Sequence, residues 1–570
     1  MMLATVACRT SMPPGDTMSN PPATATPTAT VANESKLVVA PDTAARLAQL
    51  PRTVIDYDRA LLNENERQVV ARLIEASKII DEIFWRQVSE QNPAVRARLA
   101  RQADSSALDR AGYEYFLANK GRWDRLKQDD PFIEPFGAVG AKPRGAAFYP
   151  PDITREEFER YVAAHPEQKA ALEGLFTVVR RDGAALVAIP YSRYYGPELT
   201  EAAQHVREAA DLTTNASLKN YLTKLATALL SDNYRQSDMA WMDLTGPIEV
   251  VIGPYEVQED DLFNFKASFE SFVTVVDRPE SEKLAIYAQH LPAMERNLPE
   301  PDEYRNPNRG AESPIRVVQE VYTAGDARSG VQTAAFNLPN DEVVREQKGS
   351  KKVLLKNVMD AKFQQSGRPI AMRVLDDAHT GDVTFDAFFN HVLFHELSHG
   401  LGPGLIAQPN GERVDVRLVL KNLYSTIEEC KADVLGIWNI QYAMDQKLLT
   451  SFAEKQLFAT YAGLMFRSMR FGIDEAHGRG TAVQWNWMRE NNAIVRTAAG
   501  RYTVDSGRMR AAVKSLATEL LTIEATGDFD RAQRLLDRYG VTTPEIDAVN
   551  AGLRDLPVDI TPVFAAAGER

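Results

Sequence analysis

His395-Glu396-Leu397-Ser398-His399, with Glu428-Glu429-Cys430-Lys431-Ala432-Asp433 downstream, is the stretch around which the rest of the chain is organised. Phe385 to His399 contains neither Pro nor Gly, Thr384 can cap its start by accepting from an early backbone N–H, and Gly400, Gly402 and Pro403 supply stop signals. A helix here puts His395 and His399 one turn apart on one face, where two neutral imidazoles can hold one Zn²⁺ at about 2.0–2.1 Å. Glu396 lies about 100° further round the helix. That sets its carboxylate beside the metal, as a base for water whose pKa the metal lowers to about 7.

A catalytic zinc needs a third protein ligand and an open position. Glu429 begins E-x-x-x-D, so Asp433 falls on the same helix face and can accept the outer N–H of a ligating His. Glu428 competes for the third place. It also has a structural explanation, because Ser425-x-x-Glu428 is a capping box at a helix start. We expect Glu429 as ligand, with Glu428 and Asp433 supporting the imidazoles, and one zinc per chain. His391, one turn before His395, reads as a supporting or core His, and Cys430 as a small buried side chain.

With 570 residues, 44% hydrophobic and 25% charged, the chain is globular and exceeds one ordinary core. A net charge of −13 argues against nucleic acid as a partner. Two cysteines exclude a disulfide framework, and no apolar run is long enough for a transmembrane segment. Residues 1–35, rich in Pro, Thr and Ala, read as a disordered leader. Leu3-Ala4-Thr5-Val6-Ala7-Cys8 resembles a bacterial lipoprotein processing site, with Cys8 as a lipid anchor. A cytoplasmic tail is the competing reading, and the periplasm is favoured over the cytoplasm.

Along the chain, 41–135 reads as helical, with Leu61, Val69, Leu73 and Ile80 at helical spacing. Leu175–Val179 and Ala185–Ile189 flank a D-G hairpin, and Pro197–Asp232 is helical. Pro247–Asp277 is β-rich, Pro279–Met294 a helix, and Ile315–Tyr322 and Thr333–Asn337 further strands; from 353 to 540 nearly everything reads as helix. The fold class is therefore α+β, predominantly α.

His395-Glu396-x-x-His399 and Glu428–Asp433, with Gly246-Pro247-Ile248-Glu249 and Asn337-Leu338-Pro339-Asn340 in order, resemble the dipeptidyl peptidase III family of zinc exopeptidases. The likeness runs from about residue 50 to the C-terminus. It is closer to a branch fused in plants to a Nudix domain, with similar Tyr149-Pro150-Pro151-Asp152 and Glu475-Ala476-His477-Gly478 segments, although no Nudix box is present here.

The resemblance implies two lobes around a cleft, a helical upper lobe with zinc and a lower lobe with a five-stranded barrel. On that basis 36–277 and 313–350 are lower lobe and 278–312 and 351–525 upper lobe, while 526–570 returns to the lower lobe. It also implies removal of dipeptides from the N-termini of short peptides. Glu249, Asn337 and Asn340 would hold the substrate's α-amino group, and His477 would stand beside the scissile bond. There are three departures. Typical members have H-E-x-x-x-H, one residue longer. The gap from His399 to Glu429 is shorter than usual. Typical members also carry a catalytic Tyr two residues after the Glu of G-P-x-E, where this chain has Val251, with Tyr255 as the substitute to consider. That departure keeps open a zinc hydrolase of a non-peptide amide or ester; a non-catalytic peptide-binding protein is a further alternative, against which the intact Glu396 argues.

Overall fold

A computed structural model describes residues 36–305, 314–407 and 413–569. Cys8 and the leader 1–35 lie outside the described residues. Two large apolar cores account for most of the buried side chains.

The lower core is built on a sheet of β1 (Ile248–Glu256), β2 (Ser268–Val276), β3 (Ile315–Gly325), β4 (Ala335–Leu338) and β5 (Lys351–Leu355). Its order is β1-β2-β3-β5-β4. β1, β2 and β3 pair antiparallel, β3 with β5 parallel and β5 with β4 antiparallel. Register shifts interrupt β1 at Pro254/Glu256 and β2 at Val273/Thr274, and such irregularities bend and twist a sheet. The curl has a direct witness. Glu249 on β1 and Lys351 on β5 meet at 3.1 Å although β2 and β3 lie between those strands. In a flat sheet three strand spacings of about 4.8 Å would keep them apart. The five-stranded half-barrel is thus as the resemblance implied.

Helix α1 (Glu64–Val88) opens with a capping box between Asn63 and Glu66, and buries Val69, Leu73, Ala76, Ile80 and Ile83 against this sheet. The Ser77 hydroxyl meets that of Ser271 on β2 at 2.6 Å. Helices α2 (Gly196–Leu212) and α3 (Ala216–Ser231) complete the layer.

The upper core gathers α4 (Arg278–Arg296), α5 (Phe385–Ser398), α6 (Tyr424–Asp445), α7 (Glu454–Met469), α8 (Ala476–Glu490) and α9 (Ser506–Thr526). No helix among the described residues is long and apolar enough to cross a membrane.

Two boundaries differ from the sequence expectation. Lys351–Leu355 was expected to open the helical upper lobe, but it is a strand of the half-barrel. Five residues are too few for periodicity to separate strand from helix, and the pairing with β3 and β4 decides. Its side chains alternate as a strand requires: Val353 and Leu355 enter the lower core and Leu354 the upper. The second concerns 526–570. Helices α10 (Phe529–Tyr539) and α11 (Pro544–Ala551) stay in the upper core through Ala532, Leu535, Leu536 and Ile546. Only the last segment returns, where Thr561–Phe564 pairs in parallel with Arg52–Ile55. An amphipathic helix docks wherever an apolar face is open, and sequence position alone does not say which lobe offers one.

Candidate active site

The site is made where α5 crosses α6. Thr384 caps α5, its hydroxyl accepting from the Ala387 N–H at 3.3 Å. One turn apart, His395 and His399 turn their Nε2 atoms toward each other at 3.1 Å, with the ring planes nearly perpendicular. Glu429 Oε2 on α6 lies 3.3 Å from His395 Nε2 and 3.8 Å from His399 Nε2. These three ligand atoms all fall within 4.8 Å of one another.

The outer nitrogens are both taken. His395 Nδ1 meets Asp433 Oδ1 at 2.8 Å, and His399 Nδ1 meets Glu428 Oε1 at 2.8 Å. Each Nδ1–H therefore donates to a carboxylate, and each Nε2 presents a lone pair. Two facing lone pairs at hydrogen-bond distance beside a carboxylate repel unless a cation or proton lies among them. This donor set suits Zn²⁺.

The supporting carboxylates are themselves held. Asp433 Oδ2 accepts from Gln484 Nε2 at 3.0 Å, and the Gln484 carbonyl accepts from the Tyr461 hydroxyl at 2.6 Å. Glu428 Oε2 accepts from the buried Lys431 ammonium at 2.8 Å, which also reaches Glu524 at 3.1 Å. Burial opposes charge on His395, but the adjacent Asp433 and Glu429 outweigh it and raise its pKa to about 10. Burial likewise opposes the charged form of Asp433, and His395 prevails, holding it down to about 2. The negative field that would charge an imidazole also attracts a dication in its place.

Glu396 borders the same cavity as His395, and from the lower lobe Lys352 Nζ stands 2.6 Å from its Oε2. His477, in the first turn of α8, sets Nε2 3.2 Å from Glu429 Oε2 and Nδ1 2.7 Å from Glu475. The hydrogen bond to Glu429 is the main cause raising its pKa to about 9. A cavity of about 210 Å³ joins His395, Glu396, His477 and Gln484. His391 also lines it, with its Nε2 on the Asp433 backbone carbonyl at 3.1 Å and its ring edge-on to Tyr461. Cys430 is buried in the upper core.

Three sequence expectations need correction. Ser425 does not cap α6, because the helix begins at Tyr424 without a side-chain cap; Glu428 is free to serve His399. Glu249 does not face a substrate. It is 2% exposed and closed against Lys351, with the Trp241 carbonyl on the same ammonium. Tyr255 cannot supply a free hydroxyl either, since it donates to Asp238 at 2.9 Å.

Asn337 and Asn340 are exposed, and the Asn340 amide donates to the Tyr255 carbonyl at 3.1 Å, at the far end of β1 from Glu249. The carboxylate next along that strand is Glu256, half-buried. The signal was in the sequence: Gly253-Pro254-Tyr255-Glu256 is a second G-P-x-E, seven residues after the first. Two residues beyond Glu256 stands Gln258, an exposed amide, so Val251, buried in the sheet, is not the position to compare. Lys352 was missed because nothing in its local sequence marks a strand facing α5.

Comparison with known proteins bears on this arrangement. Residues 152–417 match the model of peptidase family M49. Nudix hydrolase 3 of Arabidopsis thaliana is 36% identical over 554 residues, spanning 89% of this chain and 72% of that protein. The structure of DPP III from Caldithrix abyssi is 50% identical, with a TM-score of 0.84 over 91% of this chain and 98% of that one. That of dipeptidyl-peptidase III from Corallococcus sp. strain EGB is 41% identical, with a TM-score of 0.72 over 94% and 98%.

Proposed function

Because the chain belongs to peptidase family M49, the dipeptidyl peptidase III family, and is a metallopeptidase acting on peptides, we propose that it is a zinc-dependent exopeptidase releasing dipeptides from the N-termini of short peptides. The observation that carries the zinc assignment is the pair of Nε2 atoms 3.1 Å apart beside Glu429, with each Nδ1 on its own carboxylate.

His395, His399 and Glu429 would hold the ion. When bound, zinc polarises the scissile carbonyl and makes water acidic enough to attack near neutral pH. Glu396 accepts the proton of the attacking water and returns it to the departing amine nitrogen. Burial works against the charge on Glu396, but the Lys352 ammonium outweighs it and keeps the carboxylate ionised, so that it is able to accept a proton. His477 borders the same cavity and can donate to the oxygen on which charge develops. Glu256, with the exposed amides of Asn337 and Asn340, is the acceptor group for a substrate's α-ammonium, and that anchor sets the cut at the second peptide bond.

The test is hydrolysis of a dipeptidyl-2-naphthylamide by purified protein, before and after chelation and zinc return, with Glu396→Gln alongside. Turnover that is lost on chelation, restored by zinc and absent in Glu396→Gln despite one bound zinc is the expected result. An equally active chelated enzyme, or an equally active Glu396→Gln, would refute the reading.

A further inference from the structure

One contact between the lobes lands on the reaction centre itself. β5 alternates along its length, so that Lys351, Val353 and Leu355 turn into the lower half while Lys352 and Leu354 turn to the upper. Lys352 Nζ thereby reaches Glu396 Oε2 at 2.6 Å, with side-chain exposures of 23% and 22%.

The backbone beneath Lys352 is fixed on both sides. Its N–H donates to the Pro314 carbonyl at 2.9 Å, and it is in register with Ile315 on β3 and Asn337 on β4. Glu396 has no such second tie, since Lys352 is the side chain found hydrogen-bonded to its carboxylate among the described residues. Its position on α5 fixes the Cα, but three rotatable bonds remain between there and the carboxylate. The lower lobe thus removes that freedom from a group carried by the upper one.

We infer that Lys352 is a positioning residue that sets the general base only when the two lobes are apposed. With Oε2 held by the ammonium, Oε1 is left to receive the proton. When the cleft opens the tie breaks, and Glu396 returns to a spread of rotamers. This rests on the peptidase reading above. Small misplacements of a reacting group cost about 10²-fold in rate, which gives the scale expected.

The experiment compares the zinc-loaded full chain with Lys352→Met and Lys352→Arg on a dipeptidyl-2-naphthylamide, with zinc measured per chain. Lys352→Met should lower kcat by about 10–100-fold with KM within about threefold, one zinc retained, and Lys352→Arg should recover most of kcat. Unchanged kcat, or a loss lying wholly in KM, overturns the inference while leaving the peptidase reading intact.

Small-angle scattering provides a readout independent of turnover. Lys352→Met and Glu396→Ala should each increase the radius of gyration of the free protein, and the double variant should add nothing further. Identical profiles for all four proteins overturn the coupling of base and cleft. If the zinc-loaded wild type hydrolyses no arylamide, the peptidase reading falls, and the scattering series alone decides whether Lys352 ties the lobes through Glu396.

Discussion

Replacing Asp433 by Asn tests whether the outer hydrogen bond of His395 prepares its inner nitrogen for the metal. Asp433 Oδ1 takes His395 Nδ1–H at 2.8 Å while Oδ2 takes Gln484 Nε2 at 3.0 Å. An Asn side chain has one acceptor where two are needed. Turning the Gln484 amide to compensate would break its bond from Tyr461 at 2.6 Å and remove Nε2 from the Gly480 carbonyl at 3.2 Å. One N–H is therefore left facing another, and the bond to His395 loses its charge. Charge-assisted hydrogen bonds contribute about 1.5–3 kcal/mol against about 0.5–1.5 for neutral ones, so the deficit is about 1–2 kcal/mol. Lost partners of ligating imidazoles weaken metal affinity by about 10–100-fold, which is the same scale. The assay is competition for Zn²⁺ against a chromogenic chelator of known affinity, with far-ultraviolet circular dichroism to confirm the fold. A zinc Kd within about threefold of wild type would refute the claim that Asp433 acts through His395.

Three further outcomes follow from particular residues. Lys431→Met leaves Glu428 and Glu524 facing each other without their shared cation, which at this depth costs about 3–5 kcal/mol; a clear fall in melting temperature is expected, and an unchanged melt would show the triad to be dispensable. Gly325 has φ +69°, and a Cβ there would stand 2.2 Å from the Phe269 carbonyl oxygen, so Gly325→Ala should cost at least about 2 kcal/mol in urea unfolding, and a change under half that would contradict the packing. Burial raises the Asp238 pKa from 3.8 to about 7 despite the hydrogen bond from Tyr255. Between those values the folded state keeps a proton that the unfolded chain has lost, so stability falls as pH rises through the window. Asp238→Asn, whose carbonyl still accepts from Tyr255, should raise the melting temperature at pH 8, and the gain should vanish toward pH 4; an equal gain at both would remove the argument.

The half of the site proposed to hold the metal was legible because its geometry is local. His395, Glu396 and His399 share one helix, and that helix carries its own cap at Thr384. The same holds for Glu429 and Asp433, which the pitch of α6 brings to one face. Glu428 shows where local signals mislead: a capping box and a partner for His399 predict the same acid in different work. Only the start of α6 at Tyr424 separates them.

The cleft half was not legible in the same way. Two G-P-x-E tetrapeptides stand seven residues apart on one strand, and the sequence offers no ground for preferring either. The curl of the sheet chooses, because it closes Glu249 onto Lys351 and carries the other end of the strand to Asn340. Lys352 is the extreme case. Its neighbour Lys351 is buried in the lower half-barrel while it reaches across to Glu396, and only the pairing of β5 between β3 and β4 decides which lysine faces which way. Sequence alone determined what repeats within one helix, since a fixed pitch converts spacing into shared faces. What depended on strands distant in the chain, and on which lobe a helix or lysine meets, was decided by tertiary structure, because those partners are set by packing rather than by any period in the sequence.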